Sequence, residues 1–245
     1  MIGRKKIFLE RVTSTNDVAL EQIKSGKAVH GTVIFAGEQS NGRGQQGNKW
    51  ISGLNKNLII SIILSPKSLP ASSQFIISKI VSVALVNLLS EYTKGISIKW
   101  PNDIYAGNDK IAGILIEHSI KGDKLESSVV GIGLNLNQST FSGDLPNPVS
   151  LGMITGIEYN RETILNKLCR HIDSLYMMVD KGIFNPVDTA YHTHLYRRGT
   201  YCDYRVNGLA IKGRIEGVDQ FGRLFLEDEG GAIKAYSFKE IEFIL

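Results

Sequence analysis

A glycine-rich stretch with one arginine, GRGQQGNKW at residues 42–50, is the first part of the chain whose residue types could bind a charged ligand. Its three glycines have the G-x-G-x-x-G spacing of dinucleotide-binding loops, which open a helix and are followed about 20 residues later by an acid. Here a turn and a second strand-like run follow instead, and no Asp or Glu lies between Glu38 and Glu91. The sequence therefore excludes a dinucleotide-binding loop. It predicts a glycine segment between two strands, with N–H groups and Arg43 available to an anion.

Two later stretches, KWPNDIY at residues 99–105 and KIAGILIE at residues 110–117, add side chains that suit the same ligand. The candidates in them are Lys99, Asn102, Asp103, Lys110 and Gly113. Each alone has an ordinary explanation as a surface lysine, a turn or a strand irregularity. Taken with the glycine segment, these cations, carboxylate and glycines could hold a nucleotide and a metal ion.

Strands and helices of one mixed α/β domain are expected to position these residues. The pattern predicts strands over residues 31–39, 57–64 and 96–100, and a hairpin of residues 110–120 and 124–137. It predicts helices over residues 14–26, from Ser72 to near Gly95, over 162–181, and after Pro186. From about Arg197, short strands alternate with turn signals, which predicts a small β-barrel. The expected domains are residues 1–196 and 197–245.

The composition is ordinary for a globular protein, with 42% hydrophobic residues, 21% charged residues and a net charge of +4. A charge this small does not by itself indicate a nucleic acid or membrane partner. The N-terminus lacks a signal-peptide apolar run, and polar residues interrupt the short apolar stretch at 75–89. Cys169 and Cys202 match neither a disulfide framework nor a zinc motif. We expect a cytoplasmic protein that does not enter membranes.

Five motifs, TSTN, GEQSNGRGQQGNKW, KWPND, KIAGILIE and GIGLN, occur in the order found in biotin–protein ligases, which the chain resembles over essentially its whole length. The resemblance implies a mixed sheet backed by helices, related to lipoate ligases, and an SH3-like C-terminal domain. Some members begin with a helix-turn-helix domain that represses biotin genes. TSTN starts here at residue 13, so we expect the enzyme without that domain and without a nucleic acid partner. A homodimer through the sheet stays open.

The resemblance also implies the reaction: biotin and ATP give biotinyl-5′-adenylate, and the acyl group passes to one lysine of a carboxylase's biotin carrier domain. Arg43 and Lys110 would hold the biotin carboxylate and the α-phosphate, and Lys99 with Mg²⁺ the other phosphates. Asp103 would orient the incoming lysine or accept its proton. The expected biotin-binding residues are Ser14, Thr15, Asn16, Gln39, Gly42, Arg43, Gly44, Gln45, Lys110 and Gly113. The expected ATP-binding residues are Arg43, Trp50, Lys99, Asn102, Lys110 and Asn135, with Trp50 and Asn135 on the adenine side.

Two other functions remain open at this stage. A lipoate or octanoate ligase or transferase would use the same fold, but its acyl chain has no ureido group to pair with the polar residues of TSTN. A protein that binds biotin without turnover would not need the three cations. The chain also departs from the family at Gln45, where a second loop arginine is common. A neutral amide there predicts a weaker hold on the adenylate.

Overall fold

The computed structural model describes residues 1–66, 68–142 and 147–244. Its larger sheet is mixed and has seven strands. These are β1 (Lys6–Val12), β2 (Val33–Gln39), β3 (Leu58–Leu64), β4 (Ile96–Lys99), β5 (Asp103–Ala106), β6 (Asp109–Lys121) and β7 (Lys124–Leu134). Their order is β1-β2-β3-β7-β6-β5-β4, in which β1 and β2 are parallel and the other described pairs are antiparallel. The predicted mixed sheet is confirmed.

Helices cover both faces of this sheet, and the sequence of β3 shows why. The helices are α1 (Thr15–Lys24), α2 (Phe75–Ser90), α3 (Leu151–Thr155), α4 (Arg161–Asp180) and α5 (Asn185–Thr193). All seven β3 residues are buried, and alternate side chains point to opposite faces. Leu58, Ile60 and Ile62 pack in the main core with α2 and α4. On the other face, Ile63 packs against Ala19 of α1.

Helix α2 is the apolar helix that the sequence predicted, with different ends. A 3-10 turn, Ala71–Ser73, precedes it, and it ends at Ser90 before Gly95, whose φ of 75° turns the chain into β4. By length and composition, Ala71–Ser90 is long and apolar enough to cross a membrane. Most of the helix is buried against the sheet, α4 and α5, which is the environment of a core helix.

Strands β1 and β5 and helix α3 were not predicted. The charged residues of β1, KIFLERV, suit an edge strand that pairs only with β2 in the described chain. Strand β5 is four residues long and begins inside the PND segment, which the sequence pattern indicated as a turn. Both strands therefore form through pairing with neighbouring strands of the sheet.

The C-terminal part forms a separate five-stranded antiparallel sheet. Its strands are β8 (Tyr201–Val206), β9 (Leu209–Val218), β10 (Leu224–Asp228), β11 (Ile233–Tyr236) and β12 (Ile241–Phe243). Their order is β11-β10-β9-β8-β12. Positive φ angles at Gly208, Gly222 and Gly231 occur at the three predicted turns. The sheet is consistent with an SH3-like domain, and the boundary between residues 196 and 197 stays a prediction.

The two sheets meet through the turn at Gly222. Trp100 donates from Nε1 to the Gly222 carbonyl at 2.9 Å, and a Cβ at Gly222 would lie 2.5 Å from Cδ2 of Phe75 in α2. Nearby, the buried Lys79 ammonium lies 2.5 Å from Oδ1 of Asp188 and 3.3 Å from the Val218 carbonyl. These contacts fix the C-terminal sheet beside the segment that carries Lys99.

Gly222→Ala should therefore destabilise the protein more than Gly208→Ala. Both glycines have φ near 80–87°, so both variants carry the same backbone cost, but nothing lies within 4 Å of a Cβ at Gly208. The clash with Phe75 adds roughly 1–3 kcal/mol to the loss of unfolding free energy. In a chain of this size, that lowers the melting temperature by about 2–10 °C more. Equal melting temperatures for the two variants would contradict the contact.

Candidate active site

A cavity of about 290 Å³ lies on the α1 face of the seven-stranded sheet. The strands pair three rows of residues on this face, and the middle and outer rows contribute residues to the cavity wall. The inner row, beneath α1, is Ile63, Val129 and Glu117. The middle row is Ile34, Ser61, Gly131 and Leu115. The outer row is Ala36, Ile59, Gly133, Gly113, Asp103 and Lys99. Successive rows are two residues, or about 7 Å, apart along each strand.

Hydroxyl and amide groups surround the middle row. Thr15 donates from its backbone N and from Oγ1 to Oε1 of Gln39, at 2.7 and 3.0 Å. The Ser61 hydroxyl lies 2.7 Å from Oγ1 of Thr15 and 2.6 Å from Oδ1 of Asn16. These bonds use the amide oxygens of Gln39 and Asn16. Nδ2 of Asn16 also donates to Oε2 of Glu117 at 2.7 Å, which leaves its second N–H and the Gln39 amide N–H groups for a ligand. This end of the cavity therefore suits a small, uncharged ring with its own donors and acceptors.

Ser14 was predicted either to cap helix α1 or to bind a ligand. It occupies the N-cap position in extended conformation, but its side chain makes no capping hydrogen bond. The residue is 2% exposed and lines the cavity. Its hydroxyl is therefore free of the capping role and remains available to the cavity.

Two lysines and a carboxylate meet at the outer row. Nζ of Lys110 lies 2.7 Å from Oδ1 of Asp103. Lys99 donates to the Tyr105 hydroxyl at 3.0 Å, and its Nζ lies 5.3 Å from the ring centroid of Phe243 in the C-terminal sheet. Burial lowers the pKa of Lys99, and the charge of Asp103 partly opposes that change. This end carries net positive charge and suits an anion.

Trp50 forms a flat wall at the same cationic end. A Cβ at Gly133 would lie 2.3 Å from Cε2 of Trp50, and a Cβ at Gly113 would lie 3.2 Å from Cζ3. The indole thus lies on two glycines that face each other across β6 and β7, where any side chain would displace it. Its Nε1 is buried without a hydrogen-bond partner among the described residues. A planar ring of this size can stack a second planar group.

Arg43 and Lys110 have different ion-pair partners, and the expectation that both hold one carboxylate and one phosphate stays a prediction. Nη2 of Arg43 lies 2.8 Å from Oδ1 of Asp17 and 3.0 Å from Oε2 of Glu117. Glu117 is four residues from Gly113 along β6, a distance of about 13 Å at ~3.3 Å per residue. The two carboxylates hold the guanidinium at the inner row, away from the lysines.

Most of the other predicted site residues line the cavity. They are Ser14, Thr15, Asn16, Gln39, Arg43, Gly44, Gln45, Trp50, Lys99, Asn102, Asp103, Lys110 and Gly113. The buried Oε1 of Gln45 has no described hydrogen-bond partner. Asn102 also has a structural contact, since its Nδ2 donates to the Ile114 carbonyl at 2.8 Å.

Gly42 and Asn135 do not line the cavity. A Cβ at Gly42 would lie 2.4 Å from the carbonyl oxygen of Trp50, so the glycine allows two arms of the loop to approach closely. Asn135 is 4% exposed, and its Nδ2 donates to the Val149 carbonyl at 3.1 Å. Asn135 thus joins β7 to the segment before α3, and its place on the adenine side stays a prediction.

Several residues of the site were missed at the sequence level. Gly131, Gly133 and Phe243 line the cavity, and Ser61 and Glu117 bond to the cavity residue Asn16. Ser61 is the one polar residue in LIISIIL, and the two glycines belong to the GIGLN motif, so a signal existed for three of them. Glu117 is the last residue of KIAGILIE, but the residues that it contacts, Asn16 and Arg43, are distant in sequence. Phe243 reaches the cavity only through the packing of the two sheets.

A model of the biotin/lipoate A/B protein ligase family matches residues 8–135. The bifunctional ligase/repressor of Bacillus spizizenii is 29% identical over 244 residues, which cover 97% of this chain and 74% of that protein. The biotin–[acetyl-CoA-carboxylase] ligase of Paracoccus denitrificans is 29% identical over 231 residues, 91% of this chain and 95% of that protein. The structure of the biotin protein ligase from Aquifex aeolicus in complex with biotin and ATP has a TM-score of 0.81 at 27% identity and covers 98% of both chains.

Ser61→Ala should destabilise the protein by roughly 1–3 kcal/mol, because buried Asn16 Oδ1 would lose its donor. Ser82→Ala is the matched control. Both serines are fully buried, but the Ser82 hydroxyl has no hydrogen-bond partner among the described residues. Its removal should leave the urea midpoint unchanged or raise it. The same loss in both variants would show that the Ser61 bonds contribute nothing.

Proposed function

The chain belongs to the biotin/lipoate A/B protein ligase family, and we propose that it is an ATP-dependent biotin–protein ligase. It would join biotin to ATP as biotinyl-5′-adenylate and then transfer the acyl group to a lysine of a carboxylase's biotin carrier domain. The named relatives from P. denitrificans and A. aeolicus support this assignment. The predicted cytoplasmic location and pairing of two copies through the sheet stay predictions.

The order of groups along the cavity is the observation that carries the proposal. Biotin has a ureido ring, an apolar chain and a terminal carboxylate. The cavity offers amides and hydroxyls around Ser61, the apolar side chains of Leu115 in the same row and Ile59 in the next, and the ammonium of Lys110 beside Asp103 of the outer row. A ligand with the ring at the middle row and its carboxylate at the outer row would find a complementary group at every position.

In the first step, a biotin carboxylate oxygen attacks the α-phosphorus of ATP and pyrophosphate leaves. The two anions repel each other, and Lys110 and Lys99 would offset that repulsion and stabilise the developing charge. Trp50 would supply a stacking surface for adenine. In the described residues, no group of three or more His, Cys, Asp or Glu side chains is placed to hold a metal ion. Mg²⁺ would therefore enter with ATP, whose phosphates supply most of its ligands.

In the second step, the carrier lysine attacks the acyl carbon of the adenylate and AMP leaves. The mixed anhydride is already activated, so no enzyme nucleophile is required. The attacking amine must lose a proton, and Asp103 is the carboxylate at the outer row, where that carbon would lie. We propose that Asp103 orients the amine and accepts its proton.

Lipoate and octanoate fit the same cavity less well. Neither has a ureido group, so the Gln39 amide donors and the remaining N–H of Asn16 would face an apolar chain unpaired. A site built for hydrogen bonds rejects an analogue without them by about 10⁴-fold or more. Binding of biotin without turnover would need one cation for its carboxylate and would leave the second lysine of the outer row without a role.

Pyrophosphate release from ATP and Mg²⁺ with biotin, and separately with lipoate, tests the assignment. Biotin should support release, and lipoate should support at most a trace. Release with lipoate alone would identify an acyl ligase of the other class. Biotin binding in a calorimeter without pyrophosphate release would identify a binding protein.

Lys110→Ala should lower kcat/KM for adenylate synthesis by about 10²-fold, as loss of a charge-stabilising donor commonly does. Biotin affinity should fall much less, because neutral groups hold the ring. Lys121→Ala, an exposed lysine on the same strand, is the control and should change neither value. Equal losses of turnover and of calorimetric affinity in Lys110→Ala would count against the assignment.

A further inference from the structure

The ammonium of Lys99 lies beside two aromatic rings that have no part in the reaction described above. Its Nζ is 4.9 Å from the ring centroid of Tyr105 in β5 and 5.3 Å from that of Phe243 in β12. An ammonium this close to the face of a ring is attracted by its π electrons. We propose that Tyr105 and Phe243 are positioning residues that hold Lys99 for the phosphates of ATP. The role of the phosphates rests on the proposed function, whereas the cage formed by the two rings does not.

The Tyr105 hydroxyl adds a hydrogen bond to the cage. It accepts from Nζ of Lys99 at 3.0 Å. The Tyr105 side chain is buried and burial raises its pKa, so the hydroxyl stays protonated and uncharged near neutral pH. A lysine ammonium has three N–H donors, and among the described residues this bond uses one of them. Because Lys99 lines the cavity, its other donors can serve a ligand there.

The cage explains why Lys99 and Lys110 differ in their relation to Asp103. Lys99 and Asp103 are cross-strand partners in β4 and β5, an arrangement in which opposite charges attract each other. In the described chain, however, Asp103 pairs with Lys110 at 2.7 Å, and Lys99 makes no ion pair. The uncharged rings and hydroxyl offset part of the cost of burying the Lys99 ammonium. They do so without cancelling its charge, which is what a site for phosphates requires.

The segment that leads into the C-terminal sheet fixes Phe243 in the cage. Tyr196 N donates to the Ile98 carbonyl of β4 at 2.9 Å, and the Tyr196 ring centroid is 6.4 Å from that of Phe243. Arg197 then donates from Nη1 to the Ile244 carbonyl, directly after β12, at 2.8 Å. This segment thus joins the strand that carries the caged lysine to the strand that carries its second ring. Both sheets therefore contribute to the position of one ammonium.

The pKa of Lys99 in the ligand-free protein tests the cage. Tyr105→Phe removes an acceptor from the ammonium and Phe243→Leu removes a ring face, so each variant should lower this pKa by about 0.5–1. Carbon NMR of isotopically labelled lysines measures it, with Lys99→Arg to assign the signal. Burial already lowers this pKa in the wild type. The other ionisable groups that influence it are unchanged in both variants, and they are Asp103, Tyr196 and Arg197.

The matched controls are Tyr159→Phe and Phe225→Leu. Tyr159 also donates one hydroxyl hydrogen bond, and Phe225 is a partly buried ring of β10 in the C-terminal sheet. Neither residue lines the cavity, so neither change should alter the measured pKa. A higher or unchanged pKa in both Tyr105→Phe and Phe243→Leu would show that the rings do no more than exclude water, and would overturn the cage.

Calorimetry with MgATP, and separately with adenosine, tests what the caged lysine holds. Tyr105→Phe and Phe243→Leu should each bind MgATP about two- to fivefold more weakly, because the ammonium is less well placed for the phosphates. Adenosine and biotin should bind equally to the wild type and to every variant, since neither carries a phosphate. Unchanged MgATP affinity in both cage variants would overturn the proposed role of the cage.

Phe243→Tyr separates attraction by the ring from the filling of space. This variant keeps an aromatic face beside Lys99, so its MgATP affinity should match that of the wild type. Equal losses in Phe243→Tyr and Phe243→Leu would overturn the role of the ring. Tyr105→Phe keeps nearly the whole side chain, so it still tests the cage if the Phe243 variants fold poorly. Wild-type protein that binds MgATP and biotin without releasing pyrophosphate would overturn only the proposed function, because the pKa and affinity measurements need no turnover.

Discussion

The register of four antiparallel strands is the constraint on which the rest of the site depends. Pairing of β3, β7, β6 and β5 places Ile59, Gly133, Gly113 and Asp103 in one row. A slip of one residue in any strand would turn its side chains to the opposite face. The glycine floor beneath Trp50 would then carry isoleucines such as Ile132. In β3, such a slip would turn the Ser61 hydroxyl from its partners Thr15 and Asn16 into the main core.

A second constraint is that the buried polar groups at the ring-binding end of the cavity must have hydrogen-bond partners in the free protein. Buried hydroxyls and amides without partners cost free energy, so a preformed ring site needs internal hydrogen bonds that still leave donors for the ligand. Ser61 meets this need from the middle of an apolar strand by bonding to Thr15 and Asn16. With these bonds in place, Gln39 and Asn16 keep fixed orientations without closing the cavity.

Most of the fold and most of the cavity residues could be predicted from the sequence. Which of these residues lie at each end of the cavity could not. Long apolar runs predict buried strands, and the spacing of apolar residues in α4 predicts an amphipathic helix, so these elements could be predicted. Strand β5 is too short for a period and depends on its neighbours. The direction of the Arg43 side chain could not be predicted, because Glu117 is 74 residues away in the chain. Only the sheet register shows that this acid lies beside Asn16.

The outer row also shows why a carboxylate belongs among the lysines. A polyanion is attracted by Lys99 and Lys110, but the second substrate is itself a lysine and would be repelled by two ammonium groups. Charges about 4 Å apart interact by several kcal/mol at a half-buried site, even with partial screening. Asp103, 2.7 Å from Lys110, lowers the local charge to one net positive unit. That balance still attracts a triphosphate, and after pyrophosphate departs it no longer repels the approaching amine strongly.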